Sequence, residues 1–324
     1  MTSMDRFSDN YCYCVVENME ILTHLKNIKS QYSNITVALG TFDGVHIGHQ
    51  KVISRSVELA KQLHGTSVVF TFSNHPLSVI APQRCPLQII TQNHKAELIQ
   101  NLGVDVLLNI PFTASFLQLT ATQFITLLVE NLDPKHILIG PNYFFGYKRG
   151  GTPELLQQVG SQYGFKTEIN PTVYVDNVMV SSTLIRQMIA MGKVDQATHL
   201  LGRPVTVKGA VVHGAKRGRL LGYPTINLSV APGLIVPHNG VYAVQLTIDK
   251  IQYNGIANVG TNPTFKDKDH RIEVHILDFS GDLYGEIVSI RFLKHLRNEF
   301  TFSNAEDLKM QISQDIIMAQ KYYS

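Results

Sequence analysis

Cysteine is scarce: only Cys12, Cys14 and Cys85 occur in 324 residues. That excludes a disulfide framework and leaves Cys12-x-Cys14 as the one pair with metal half-site spacing. No second half-site follows, so the pair reads as incidental thiols. Long apolar runs are missing too, and nothing reaches the length needed to span a bilayer. The start, Met1-Thr2-Ser3-Met4-Asp5-Arg6, lacks the apolar core of a signal peptide, so the expected compartment is cytoplasmic, with no membrane partner. Charge is low at 16%, and a formal excess of +3 is too small for a nucleic-acid surface. There is neither an internal repeat nor a low-complexity tract. What remains is 44% hydrophobic, the makeup of a globular protein, at a length that accommodates two domains with their own cores.

From residue 35 the chain alternates strand and helix patterns. An apolar, β-branched run over 35–39 precedes a glycine turn, a helical pattern over 47–64 that stops at Gly65, and a strand over 66–72. A helix over 91–102 ends at Gly103 and a strand follows over 104–110. Thr120 with Gln123 forms a capping box for a helix through 132. A strand over 136–139 runs into Gly140, and Pro153 opens a further helix. Upstream, 11–16 reads as an opening strand and 19–28 as a short helix. Such alternation predicts a parallel sheet with helices on both faces, whose ligands sit beyond the carboxyl ends of the strands. Segments 40–49, 73–76 and 140–151 all directly follow a strand. After about residue 203 short alternating runs take over, at 205–212, 241–248, 253–259, 271–277 and 287–292, the pattern of an antiparallel barrel or sandwich. A last helix, 304–322, opens with an asparagine cap and acidic residues. The expected domains are 1–186 and 203–324, joined by a connector at 187–202.

The stretch Gly40-Thr41-Phe42-Asp43-Gly44-Val45-His46-Ile47-Gly48-His49 organises the first half. A strand, a glycine turn and a helix start make a ready phosphate site, because the first N–H groups of a helix are unpaired. His46 and His49 sit at that opening, where each can donate to phosphate oxygens. Ser181-Ser182-Thr183 with Arg186 one turn on is a second anion cradle, or an ordinary helix cap when read alone. The aromatic run in Gly140-Pro-Asn142-Tyr-Phe144-Phe-Gly146 suits either stacking on a ring or core packing.

These residues resemble the HxGH signature of the nucleotidyltransferase superfamily, and "GTFDGVHIGH" resembles the adenylyltransferase module of bacterial bifunctional riboflavin kinase/FAD synthetases. Thr71 to Pro76 is similar to that family's "TFxPHP", with Asn74 where proline is usual. Ser181 to Arg186 is similar to its "SSTxIR". "GPNYFFGYKRGG" departs from the usual "GxDFRFGxxRxG": Asn142 replaces an acidic residue and Phe144 an arginine, while Gly146, Arg149 and Gly151 keep the pattern. By this resemblance Gly40, Phe42, Asp43, Gly44, Ser181, Ser182, Thr183 and Arg186 would hold the ATP phosphates, and Asn142 and Phe144 the flavin.

In the second half, "GAVVHGAKRGRLLGYPTIN" has the look of a flexible basic loop able to close over phosphates, with Gly214, Lys216 and Arg219 as its candidates. It is not a Walker A motif, since no Gly-Lys-Ser/Thr follows. Thr225 and Asn227 alternate out from a short strand on one face, and their hard oxygens together with ATP phosphates suit Mg²⁺. Over Arg271 to Ile276, Ile272, Val274 and Ile276 face one way and Arg271, Glu273 and His275 the other. "PTxN", "RIEVHILDF", "NxGxxPTF" (258–265) and "LRxE" resemble riboflavin kinase motifs, which puts Glu273 in the position of the catalytic glutamate and Arg297 and Glu299 close to the flavin. The implied fold is a Rossmann-like nucleotidyltransferase sheet followed by a six-stranded-type riboflavin kinase barrel and a C-terminal helix. The implied activity is phosphorylation of riboflavin to FMN and adenylylation of FMN to FAD. Its small-molecule partners are ATP, riboflavin, FMN, FAD and pyrophosphate, Mg²⁺ accompanies ATP, and no tightly bound redox cofactor is expected. Two rival readings are a chain with one active module, the adenylyltransferase weakened at 140–151, and a non-enzymatic flavin-binding regulator.

Overall fold

The computed structural model describes residues 19–214, 218, 221–249, 251–261 and 270–323. Cys12, Cys14, the strand expected over 11–16, Lys216, Arg219 and residues 262–265 lie outside them. The chain packs as two compact units. Of the described residues, one comprises 19–41, 50–83 and 96–171; the other comprises 42–49, 84–95 and those from 172 onward.

The first unit is a six-stranded sheet. Its strands are β1 (Glu20–Leu22), β2 (Thr36–Leu39), β3 (Ser67–Phe72), β4 (Val106–Ile110), β5 (His136–Ile139) and β6 (Lys166–Ile169), in the order β1-β4-β3-β2-β5-β6. Every pairing is parallel. Val37, Leu39, Val68, Phe70, Ile137 and Ile139 share one core with Phe124, Leu128 and Leu156. The intervening Ala38, Val69 and Leu138 are fully buried as well, so both faces are covered and the strands read as continuous apolar runs. The helices that alternate with these strands along the chain are α1 (Ile47–Gln62), α2 (Leu77–Ile80), α3 (Gln92–Gln100), α4 (Ala114–Leu117), α5 (Ala121–Leu132) and α6 (Pro153–Tyr163), with residues 47–49 of α1 and 92–95 of α3 counted in the second unit. Thr120 and Gln123 form the expected capping box of α5. Thr152 caps α6, with Pro153 in its first turn.

One expectation fails here. Residues 19–28 do not form a helix: 20–22 are β1, with Glu20 N–H bonded to Asp105 O at 2.9 Å, and a single 3₁₀ turn follows at Ile28–Ser30. A three-residue strand carries almost no periodicity, and its partner β4 is far away in sequence, so tertiary pairing overrides the local pattern.

The second unit holds the hairpin β7 (Tyr174–Val175) and β8 (Val178–Met179), helices α7 (Ser182–Ala190) and α8 (Val194–Leu201), and a closed antiparallel barrel. The barrel strands are β9 (Val205–Val212), β10 (Ile226–Val230), β11 (Gly240–Ile248), β12 (Ile251–Thr261), β13 (His270–Ile276) and β14 (Ile287–Arg297), in the order β10-β13-β12-β11-β14-β9. Closure removes the exposed edges that an open antiparallel sheet would leave. Ile272, Val274 and Ile276 of β13 are buried, as the alternation requires. Asn304 caps the last helix, α9 (Ala305–Ala319), whose Ala319 packs with Ala243 and Ile256 of the barrel. No helix among the described residues is long and apolar enough to cross a membrane.

Candidate active sites

The loop entering α1 carries the first site. Phe42 (φ 49°), Gly44 (φ 82°) and Val45 (φ 38°) are all left-handed. Glycine takes that conformation freely, whereas a β-branched valine does so only when its surroundings hold it. Ser182 Oγ donates to Asp43 O at 2.9 Å. Arg203 donates to Gly44 O at 2.6 Å and to Val45 O at 3.2 Å. The Asp43 carboxylate accepts from Ile89 N–H at 3.0 Å and from Arg186 at 2.7 Å. Arg186 also donates to Leu87 O at 2.8 Å. Ser181 caps α7 by accepting from Leu184 N–H at 3.3 Å, and Thr183 is exposed beside it. Thus Phe42 to Gly44 and Ser181 to Arg186, far apart in sequence, form one constellation. Asp43 turns its charge to protein donors. Gly40 N–H donates to Phe70 O in the first unit.

His46 and His49 stack with ring centroids 3.5 Å apart, and His46 Nδ1 accepts from His49 N–H at 3.2 Å. A neutral His46 therefore carries its proton on Nε2. A Cβ on Gly48 would make a tight contact, 3.2 Å, with the His46 ring. Phe42 meets His49 edge-on at 5.3 Å. Burial pushes His46 down to about 4, helped by the charges of Arg203 and Arg186. His49 is driven well below its ordinary value, again mainly by burial, with His46, Lys95, Arg186 and Arg203 adding to the effect. Burial also lowers Lys95 to about 8, against the attraction of Asp43, and Arg203 to about 10. Two neutral imidazoles thus sit among three cations and one carboxylate, an excess of positive potential that a polyanion would relieve. The sequence reading missed Lys95 and Arg203. Neither belongs to a recognisable motif, and only their burial reveals them.

In the first unit the strand-ending loops divide their work. Asn74 clamps the backbone of Phe112, accepting from its N–H at 2.8 Å and donating to its carbonyl at 3.0 Å. Within 140–151, Phe145 is buried and pairs with Gly151. A Cβ on Gly151 would lie 2.4 Å from the Phe145 ring, which requires glycine there. Phe144 points outward, 41% exposed, with the Arg149 guanidinium 4.4 Å over its ring. Asn142 is exposed. The aromatic run is therefore split between core packing and an open, cation-covered ring.

On the barrel, Glu273 of β13 lies in register with Asn227 of β10 on one side and Asn258 of β12 on the other. Directly opposed residues point to the same face, and here the face is that of a cavity of about 330 Å³ that Glu273, Asn258 and Thr225 line. Thr225 also lines a second cavity of about 450 Å³, which is bounded by Phe279 and Tyr284. Arg271 forms an ion pair with Glu273 and donates to Asn227 Oδ1 at 3.0 Å. Arg297 is held by the buried Asp315 of α9 at 2.7 Å and stacks over Phe300 at 4.4 Å. Glu299 accepts from Asn258 at 3.1 Å. A Cβ on Gly214 would fall 2.1 Å from the Asn227 amide, and one on Gly218 would fall 3.3 Å from Thr225 Oγ1. The Thr225 hydroxyl and the Asn227 amide oxygen are both hard donors of the kind a small divalent cation takes. Among the described residues no group of three or more His, Cys, Asp or Glu is placed to hold a metal.

Two family patterns match the chain in tandem, FAD synthetase over residues 28–184 and riboflavin kinase over 201–323. A bifunctional riboflavin kinase/FMN adenylyltransferase of Buchnera aphidicola subsp. Schizaphis graminum is 39% identical over 311 residues, 94% of this chain and 99% of that protein. The chain belongs to the bifunctional riboflavin kinase/FMN adenylyltransferase family. The Escherichia coli K12 member is 34% identical over 308 residues, covering 94% of this chain and 98% of that one. A crystal structure described as a macrolide-efflux protein from Streptococcus pneumoniae superimposes with a TM-score of 0.84 at 32% identity, over 93% of this chain and 98% of that chain. Two positions where the sequence departs from the motifs it resembles have a local structural setting. Asn74 makes two hydrogen bonds to the Phe112 backbone, and the Phe144 ring carries the Arg149 guanidinium.

Proposed function

We propose that this chain phosphorylates riboflavin to FMN at the barrel and adenylylates FMN to FAD at the histidine loop, releasing pyrophosphate. The observation that carries the reading is the tandem match of one chain to FAD synthetase over 28–184, which contains the histidine loop, and to riboflavin kinase over 201–323, which contains Thr225 and Glu273. This supports two activities over a single active module or a flavin-binding regulator. A cytoplasmic location follows from ATP as the donor of both groups. The proposed functional boundary lies within 187–202.

At the barrel, riboflavin occupies the cavity beside Glu273, with the guanidinium–phenyl pair of Arg297 and Phe300, and Glu299, as the flat surface near the isoalloxazine. ATP occupies the cavity on the other side of Thr225. Glu273 takes the proton of the ribityl 5′-hydroxyl as its oxygen attacks the γ-phosphorus and ADP leaves. Thr225 and Asn227 are the residues that would hold Mg²⁺, which when bound offsets charge on the transferring phosphoryl group. Lys216 and Arg219, in the basic stretch after Gly214, are the proposed partners of the ATP phosphates.

At the histidine loop, an FMN phosphate oxygen attacks the α-phosphorus of a second ATP and pyrophosphate departs. No side chain becomes covalent. His46 and His49 donate to phosphate oxygens as charge builds, and Arg186, Ser181, Ser182 and Thr183 with the turn at Phe42 to Gly44 hold the triphosphate in line. Asn142 and Phe144 are the proposed flavin contacts of the first unit. Incubation with riboflavin, ATP and Mg²⁺, followed by chromatographic separation of the flavins, should show FMN first and FAD later. Flavin bound without consumption of ATP would refute the reading.

A further inference from the structure

Arg203 lies in the segment that matches riboflavin kinase, yet its guanidinium is spent on the histidine loop. It donates to Gly44 O at 2.6 Å and to Val45 O at 3.2 Å, while Ser182 takes the preceding carbonyl, Asp43 O, at 2.9 Å. Three successive carbonyls of the loop are thereby tied to donors. A carbonyl held this way cannot swing toward a phosphate, which its partial negative charge would repel. The bonds also hold Val45 at φ 38° and so set the entry of His46 and of α1. The backbone beside it is fixed, since Gly202 ends α8 at φ 71° and β9 begins at Val205, and the guanidinium also donates to Leu201 O at 3.4 Å. Its Nε is buried with no hydrogen-bond partner among the described residues. A planar fork is what two neighbouring carbonyls require, since a lysine ammonium is a point charge on a flexible stem.

We propose that Arg203 is a positioning residue for FMN adenylylation, supplied to the nucleotidyltransferase loop by the kinase segment of the chain. The inference rests on the reading of His46 and His49 as the triphosphate site. Adenylylation then requires the residues after the connector, and the kinase reaction does not require Arg203.

The test measures both reactions in the full-length chain, riboflavin to FMN and FMN to FAD, for Arg203→Lys, Arg203→Gln and Arg203→Ala, with His49→Ala alongside. A loop displaced by about 1 Å costs on the order of 10²-fold, so kcat/KM for FAD formation should fall by about that factor in all three variants. FMN formation should stay within about twofold of the parent, which reports that the barrel is folded. Millimolar guanidinium should restore FAD formation in Arg203→Ala and leave Arg203→Gln, whose side chain fills the space, unrestored. Unchanged FAD formation, equal loss of both activities, or full activity in Arg203→Lys would each overturn the proposal. If Arg203→Ala is insoluble, the lysine and glutamine variants carry the test. Should His49→Ala keep its FAD synthesis, the triphosphate reading fails first and the inference falls with it. If His49→Ala is inactive while the Arg203 variants are normal, the inference alone fails.

Discussion

Acid should unfold this protein through its buried histidines. His46 titrates at about 4 and His94 at about 3, against an ordinary 6.5. Burial leads in both cases. Arg203 and Arg186 add to it at His46, and Arg203 and Lys208 at His94. Both are depressed in the folded chain, so between pH 6.5 and 4 the unfolded chain binds more protons and stability falls as pH falls. Between pH 7.5 and 5.0 each contributes a loss of about 2 kcal/mol, or about 4 kcal/mol together. His49 acts in the same direction. Such a loss is a large share of the ~5–15 kcal/mol that holds a typical domain. Urea unfolding of the parent and of His94→Asn at the two pH values tests the argument. The variant should lose about 2 kcal/mol less than the parent over the same interval, whatever its stability at pH 7.5. An identical pH dependence in the two proteins would show that His94 is not held neutral, and the reasoning would be wrong for the histidine loop as well.

Glu273→Gln should slow FMN formation by ~10²–10⁴-fold and leave FMN adenylylation intact; a loss below about tenfold would place the base elsewhere. His49→Ala should cost FAD synthesis ~10²–10³-fold and spare the kinase, and equal loss of both, with altered circular dichroism, would point to misfolding instead. Asn74→Pro removes both bonds to the Phe112 backbone and should destabilise the chain by about 1–3 kcal/mol in thermal unfolding; a neutral or stabilising result would mean that the loop refolds around proline.

Sequence alone determined the two architectures, because each is written in local periodicity. Unbroken apolar strands between capped helices require a sheet covered on both faces, as in Val37 to Leu39 and Val68 to Phe70. The alternation of Ile272, Val274 and Ile276 requires a sheet with one face inside, and it carried Glu273 to the cavity face together with Arg271. The histidine motif was equally legible, since a glycine turn before a helix needs no distant partner to be read. Tertiary structure decided what those residues touch. Asp43 faces Arg186 and Ile89 N–H. Arg271 bridges Glu273 and Asn227 from a neighbouring strand. Lys95 and Arg203 became visible only once buried beside the histidines. A three-residue strand such as β1 exists because β4 pairs with it. The physical reason is the same each time. Burial pattern is a property of a short segment and shows in its sequence, whereas a charge or a carbonyl is satisfied by whatever group the fold brings alongside, here from as far away as Gly44 to Arg203.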